Sequence, residues 1–125
     1  MSVFRFREGL AATLRHEPPL AIIDMTGDLV TATESELREA HQQAVAADAQ
    51  HLLLNFAGVP YLNSSGIGVI IQFLSEAREH GRRLYFTGLT PHFHKIFQIM
   101  GLTQHGTWVD TEAEAKQAAQ AVAGA

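Results

Sequence analysis

The sequence contains no cysteine, which excludes disulfide bonds and thiolate metal sites. No segment approaches the roughly 20 apolar residues of a membrane span, and the first residues, Met1 to Arg5, lack the apolar stretch of a signal peptide. Acidic residues outnumber basic ones, 13 against 9, so the net charge is −4. Because a nucleic-acid-binding surface needs excess positive charge, we expect no nucleic acid partner. These absences predict a cytoplasmic protein without a membrane span.

The composition that is present fits one folded domain over residues 1–125. Apolar residues make up 46% of the 125-residue chain and charged residues 18%, as in ordinary globular proteins. A chain of this length can bury roughly two-thirds of its unfolded surface. We expect residues 1–9 to form an extra edge strand or an arm, and residues 120–125 to form a frayed tail.

The first half of the chain predicts a hairpin followed by a helix. Two strand-like segments, 10–15 and 20–26, flank the turn residues Pro18 and Pro19. Thr33 and Glu36 have the spacing of a capping box, which predicts a helix beginning there.

The middle of the chain predicts a central strand and a long helix. The apolar run 51–56 is typical of a strand covered on both faces. A helix is predicted from Ser64 to about His80, ended by Gly81. Its β-branched residues favour a strand locally. The helical repeat of apolar residues, however, extends further than a strand would, over Ile67, Ile70, Ile71, Leu74 and Ala77.

The last third predicts two more strands and two more helices. Segments 83–87 and 107–109 are strand-like, and Thr90-Pro91 opens a helix between them. Its apolar repeat predicts core positions at Phe93, Ile96, Phe97 and Met100. Thr111 and Glu114 form a second capping box before an alanine-rich helix. A hairpin followed by alternating helices and strands implies an α/β fold with a mixed sheet.

Two adjacent serines at the start of the long helix are the candidate functional feature. Sites on such sheets lie beyond the carboxyl ends of strands, so Asp28, Asn63, Ser64 and Ser65 are expected to share one surface. Free amides and the positive end of the helix dipole suit a phosphate there, bound or covalently attached. No base or metal ligand lies nearby in the sequence, which favours a switch over a catalyst.

Simpler roles compete with this interpretation. Ser64 can cap the helix, Ser65 can be a packed hydroxyl, and Gly66 and Gly68 can permit close backbone packing. No phosphate-loop lysine or hydrolase Gly-x-Ser-x-Gly elbow accompanies them. His92 and His94 point in different directions on a helix, so we interpret them as surface residues and expect no metal or cofactor.

Three motifs in order resemble those of the STAS domain, a family found in bacterial anti-sigma factor antagonists. Residues 63–68 read Asn-Ser-Ser-Gly-Ile-Gly, where the family has Asp-Ser-Ser/Thr-Gly-Leu/Ile-Gly. Residues 27–30 correspond to a Gly-Glu-Leu-Asp-like turn, and residues 100–102 read Met-Gly-Leu. The resemblance implies a single STAS-like domain, with a four- to five-stranded mixed sheet and about four helices packed mainly on one face.

The resemblance also implies a non-enzymatic, phosphorylation-controlled binding switch. Ser64 corresponds to the serine that an anti-sigma factor kinase phosphorylates, and a serine phosphatase removes the phosphate. The unmodified form binds the anti-sigma factor and releases a sigma factor. The residues predicted to surround the phosphorylation site and bind the partner are Asp28, Asn63, Ser65, Gly66 and Val69.

Asn63 and Val30 stand where the family has carboxylates, which leaves open a phosphorylation-independent STAS scaffold in a signalling or lipid-transport complex. A third class, supported only by Asp28, Asn63 and Ser64, is a small-ligand or nucleotide-binding protein, or an enzyme, that uses their surface. The sequence leaves the oligomeric state, the sigma factor and the pathway open.

Overall fold

The computed structural model describes residues 9–123, which form one five-stranded sheet and four α-helices. The elements are β1 (Leu10–Glu17), β2 (Leu20–Gly27), α1 (Glu34–Ala46), β3 (His51–Gly58), α2 (Ser64–Glu79), β4 (Arg83–Thr87), α3 (Pro91–Ile99), β5 (Thr107–Trp108) and α4 (Glu112–Ala123). Most of the arm predicted for residues 1–9 lies outside the described residues, as do the last two residues of the predicted tail.

The sheet is mixed, as predicted, and its strands lie in the order of the chain, β1-β2-β3-β4-β5. The first two strands are antiparallel and joined by the Pro18-Pro19 turn, whereas β2, β3, β4 and β5 run parallel to one another. The predicted α/β fold is therefore confirmed. Because β2 and β3 are parallel neighbours, the loops that follow them leave the same edge of the sheet.

The larger core lies between the sheet and helices α1, α2 and α3. Alternate residues of β3 face this core and Leu53 faces the opposite side of the sheet, which is also covered, so apolar residues occur on both faces of the run 51–56. The largest side chains of this core are three phenylalanines with ring centroids 5.6 to 6.4 Å apart, two pairs of which meet edge to face while the third is tilted. These are Phe56, Phe86 and Phe97.

The opposite face of the sheet is covered by α4 alone among the described helices. Ala115 and Ala119 are fully buried against Leu20, Ile22, Leu53, Tyr85 and Val109. Three helices on one face and one on the other agree with the predicted packing mainly on one face. The helix continues to Ala123, so residues 120–123 of the predicted tail are helical, and its fraying stays a prediction.

Two local predictions were wrong. Met100, expected in the core, is 48% exposed because α3 ends at Ile99 and the helical repeat stops applying there. Ile71, a member of the apolar repeat of α2, is 42% exposed. Thr33 and Glu36 form no capping box, since the Thr33 hydroxyl bonds to the preceding loop.

A polar network joins β1, β2, β3 and α4 on the face covered by α4. Arg15 donates to both carboxylate oxygens of Asp24 and to the Glu112 carboxylate of α4. Asn55 donates to Asp24 over 2.8 Å. The Arg15 hydrogen bond, followed by that of Asn55, holds the pKa of Asp24 below its ordinary value of 3.8.

This network predicts part of the acid sensitivity of the fold. A carboxyl group whose folded-state pKa is lowered stabilises the fold above its unfolded pKa, and that contribution disappears as pH falls through the folded pKa. We therefore expect the urea midpoint of the wild type to fall steeply below about pH 4. The Asp24→Asn variant should be less stable at pH 7 and lose less on acidification. If the urea midpoints of the wild type and the variant fell equally with decreasing pH, this account would be contradicted.

Candidate functional site

The loops after β2 and β3 are joined directly by backbone hydrogen bonds. Leu29 and Leu62 form an isolated parallel bridge, in which the Leu29 amide donates to the Tyr61 carbonyl over 3.1 Å. The Asn63 amide donates to the Leu29 carbonyl over 3.2 Å. Both leucine side chains are buried, at 0% and 2% exposure. The start of α2 is therefore fixed to the loop that contains Asp28.

Asn63, rather than Ser64, caps helix α2. The Asn63 side-chain oxygen accepts a hydrogen bond from the Gly66 amide at 2.9 Å, and its carbonyl accepts one from the Ile67 amide at 3.0 Å. Its extended backbone (φ −96°, ψ −178°) is that of an N-cap residue. The alternative in which Ser64 caps the helix was therefore wrong. Ser64 is the first residue inside the helix.

Ser64 is exposed at the rim of the sheet. Its amide and that of Ser65 precede the first intrahelical hydrogen bond, so both face the region in front of the helix. The positive end of the α2 dipole lies at the same place. A phosphate on the Ser64 hydroxyl would lie near these amides while remaining open to a protein partner.

Ser65 has a tertiary partner that sequence reasoning missed. Its hydroxyl donates to Glu34 at the start of α1 over 2.5 Å. That hydrogen bond, together with Arg38 at 3.4 Å, lowers the pKa of the half-buried Glu34 carboxyl. The available signal was that α1 begins at the rim where the two loops were predicted to meet.

The structure gives Asp28 a backbone role. Its carbonyl accepts a hydrogen bond from the Thr33 hydroxyl at 2.7 Å, and Thr33 in turn accepts from the Val30 amide at 3.0 Å. Within residues 9–123, no hydrogen bond joins the Asp28 carboxylate to the serine pair. Asp28 thus lies in the loop that meets the site and shapes it through its main chain.

Gly66 and Val69 are the residues through which the start of helix α2 packs against the rest of the protein. A Cβ atom on Gly66 would lie 2.3 Å from the Leu29 carbonyl oxygen, so the bridge between the loops requires glycine there. Val69 is 1% exposed and belongs to the core. The prediction that Val69 contacts a partner was therefore wrong, because its side chain is covered by this chain's own residues.

The exposed face of α2 instead runs through Ser64, Gly68 and Ile71. Gly68 lies one turn beyond Ser64, and a Cβ atom there would meet nothing within 4 Å. Tyr61, 50% exposed, packs edge-on against Phe93 with ring centroids 6.0 Å apart, beside the helix start. The site is thus an exposed hydroxyl with exposed apolar groups at its margins.

The described residues contain no group of three or more His, Asp or Glu side chains placed to hold a metal ion. Of the two histidines on α3, His92 is exposed, and His94 stacks on Trp108 with ring centroids 3.8 Å apart. No helix within residues 9–123 has the length and apolar character to cross a membrane.

Comparisons with known proteins agree on the family. The model of the STAS domain matches residues 11–115. The anti-sigma-B factor antagonist of Staphylococcus aureus is 25% identical over 80 residues, which cover 64% of this chain and 74% of the relative.

Two solved structures share the fold. An anti-sigma factor antagonist from Mycobacterium paratuberculosis superposes with a TM-score of 0.75 at 17% identity, over 89% of this chain and 94% of the other. The phosphorylated form of the Bacillus cell fate determinant SpoIIAA superposes with a TM-score of 0.68 at 24% identity, over 86% and 97% of the two chains.

Proposed function

Because this chain belongs to the STAS domain family, we propose that it is an anti-sigma factor antagonist that works as a phosphorylation-controlled binding switch. In this proposal the form with unmodified Ser64 binds an anti-sigma factor that is also a kinase, and a sigma factor is released. Phosphorylation of Ser64 ends the interaction, and a serine phosphatase restores it. The chain itself performs no catalysis, and its proposed compartment is the cytoplasm.

The observation that carries the proposal is the exposure of the Ser64 hydroxyl on a rigid support. The capping bonds of Asn63 and the bridge between Leu29 and Leu62 fix the backbone around it. A kinase needs an accessible hydroxyl, and a binding partner needs a surface of constant shape. The start of α2 supplies both.

A phosphate would act here through charge. It adds a charge of about −1.5 to −2 and three strong acceptor oxygens. The Glu34 carboxylate already lies one hydrogen bond from the neighbouring Ser65, so the modified rim would be strongly negative. An apolar or acidic partner surface would then lose affinity without any change in the fold of this protein.

Asn63 and Val30, the two departures from the family pattern, affect recognition by a kinase more than they affect the backbone of the site. Asn63 caps α2 through its side-chain oxygen, a role that aspartate fills equally well. Val30 contributes its amide to the Thr33 hydroxyl, a bond that is independent of the side chain. Glu34 supplies a carboxylate at this rim, so an acidic group is still available to a kinase.

Incubation with ATP and the cognate anti-sigma factor kinase tests the proposal. We expect one phosphate per chain, placed on Ser64 by peptide mass spectrometry, and none on a Ser64→Ala variant. The Ser65→Ala variant is the matched control, because it removes the adjacent hydroxyl and should leave the modification in place. Absence of phosphate on Ser64, or modification of Ser65 instead, would contradict the switch.

The replacement of the usual carboxylate by Asn63 favours one second candidate, a STAS scaffold that binds its partner regardless of phosphorylation. The same rim, with Tyr61 and Ile71 exposed at its margins, would serve as the binding surface. Equal partner affinity for the wild type, Ser64→Ala and Ser64→Asp would establish this function in place of the switch.

A further inference from the structure

The end of α2 remote from Ser64 carries a concentration of positive charge. Arg78, Arg82 and Arg83 are three of the chain's 9 basic residues and fall within six positions. Gly81 adopts a left-handed conformation (φ 70°), and the Arg82 amide donates back to the Ala77 carbonyl over 2.7 Å. This helix-ending turn folds the chain back, so Arg82 and Arg83 come to line the same cleft as Arg78.

These arginines line a cleft of about 450 Å³ between the end of α2 and strand β5. The other polar residues of its wall come from the segment before and within β5, namely Gln104, His105 and Thr107. Each can donate a hydrogen bond through its side chain. The wall therefore combines guanidinium groups with neutral donors, as a site for an anion does.

The positive charge at the rim is largely uncompensated. Arg82 is held inward, with Nε 3.5 Å from Glu76 and Nη1 donating to the Ala49 carbonyl at 3.4 Å. Arg78 and Arg83 are exposed and form no ion pair within residues 9–123. In a chain of net charge −4, two free guanidinium groups at one cleft favour an acidic ligand.

An apolar groove adjoins the cleft and shares two of its residues, Arg78 and His105. It has a volume of about 160 Å³ and is lined by Ile71, Leu74 and Leu102. Ile71 is 42% exposed, which leaves an apolar surface open directly beside the arginines. The combined surface accommodates both carboxylates and an aliphatic side chain.

We propose that this surface, called here the basic cleft, binds an acidic segment of a partner polypeptide. Carboxylates of the segment pair with Arg78 and Arg83, where guanidinium groups can form two parallel hydrogen bonds. A neighbouring aliphatic side chain enters the groove of Ile71, Leu74 and Leu102. A small anion would use the arginines but leave the groove empty, so the paired features favour a peptide.

The basic cleft is separate from the phosphorylation site. Ser64 is the first residue of α2 and Arg78 the fifteenth, so the two are about 21 Å apart along the helix axis. At physiological ionic strength this exceeds the screening length of about 8 Å. Occupancy of the basic cleft should therefore be insensitive to phosphate on Ser64.

A fluorescein-labelled peptide of repeated Glu-Glu-Leu units, titrated with the full chain and followed by anisotropy, tests the proposal. We expect binding in about the 10–100 μM range, weakening as salt rises. Arg83→Glu should weaken it at least about tenfold, which corresponds to 1.4 kcal/mol. The control Lys95→Glu, an equal charge change on an exposed α3 residue, should leave it unchanged.

Two further peptides and two competitors identify the occupant. Repeats of Glu-Glu-Ser should bind more weakly, and repeats of Lys-Lys-Leu should not bind. Displacement by ATP or inorganic phosphate at equal concentration would show a small-anion site and overturn the peptide proposal. Self-association lost in Arg83→Glu would overturn it in favour of a second copy. The Ser64→Ala variant should bind the acidic peptide as the wild type does, so the outcome for the basic cleft does not depend on whether the proposed switch is correct.

Discussion

Protein phosphorylated stoichiometrically at Ser64 is expected to bind its anti-sigma factor at least about a hundredfold more weakly than the unmodified protein. That change corresponds to about 2.7 kcal/mol, which a doubly charged group at the centre of an interface can supply, because like-charge contacts across an interface cost several kcal/mol. Titration calorimetry on the modified and unmodified chains, at one ionic strength, measures the difference directly.

Two variants test whether the loss of affinity requires a negative charge at position 64 itself. Ser64→Ala should bind as the unmodified chain does, because it keeps the surface uncharged. Gln120→Glu adds a negative charge on exposed α4, which lies on the other face of the sheet, and should also bind normally. Equal affinity of the phosphorylated and unmodified chains would reject the switch and support the scaffold.

The Gly66→Ala substitution is expected to destabilise the fold by about 3 kcal/mol. The added Cβ would lie 2.3 Å from the Leu29 carbonyl oxygen, a backbone atom that no change of side-chain rotamer can move. Either α2 shifts away or the bridge between the two loops breaks. Urea unfolding followed by circular dichroism gives the change in the free energy of unfolding.

Gly68→Ala is the matched substitution two residues further along the same helix. Nothing lies within 4 Å of the new Cβ, and alanine is favoured over glycine in a helix interior by about 0.5–1 kcal/mol. This variant should therefore be slightly more stable than the wild type. If both variants changed stability equally, the close approach of Gly66 to Leu29 would not be what fixes the start of α2.

The order and type of the elements could be predicted from the sequence because local signals agree with the tertiary structure. The repeat from Ile67 to Ala77 outweighs the β-branched residues that favour a strand, since it continues for three turns. The run 51–56 is apolar on both faces because β3 is buried on both faces. The turn at Pro18 and Pro19 joins antiparallel neighbours.

The details of the site could not be predicted because they depend on contacts between distant segments. Asn63, Ser64 and Ser65 are all good capping residues, and the choice of Asn63 depends on where the bridge to Leu29 places the chain. The contact of Ser65 with Glu34 joins residues 31 positions apart. No periodicity in the sequence encodes such a pairing.

Which residues of α2 are buried also could not be predicted from the sequence. Apolar residues lie on several sides of this helix, so the sequence does not determine which of them face the sheet. Val69 is covered and Ile71 is exposed because the Gly66 contact fixes how the helix is rotated. The sequence therefore led to the wrong assignment of Val69 to the partner-binding surface.

The Asn63 side chain caps helix α2 without a contribution from the Ser64 hydroxyl. The hydrogen bonds that begin α2 do not involve the hydroxyl at position 64, so the proposed phosphate could be added or removed without breaking them. In the proposed switch the lifetime of the signal would then depend on the kinase and the phosphatase rather than on refolding of this chain. A substitution of Ser64 would change the proposed regulation and leave the start of α2 intact.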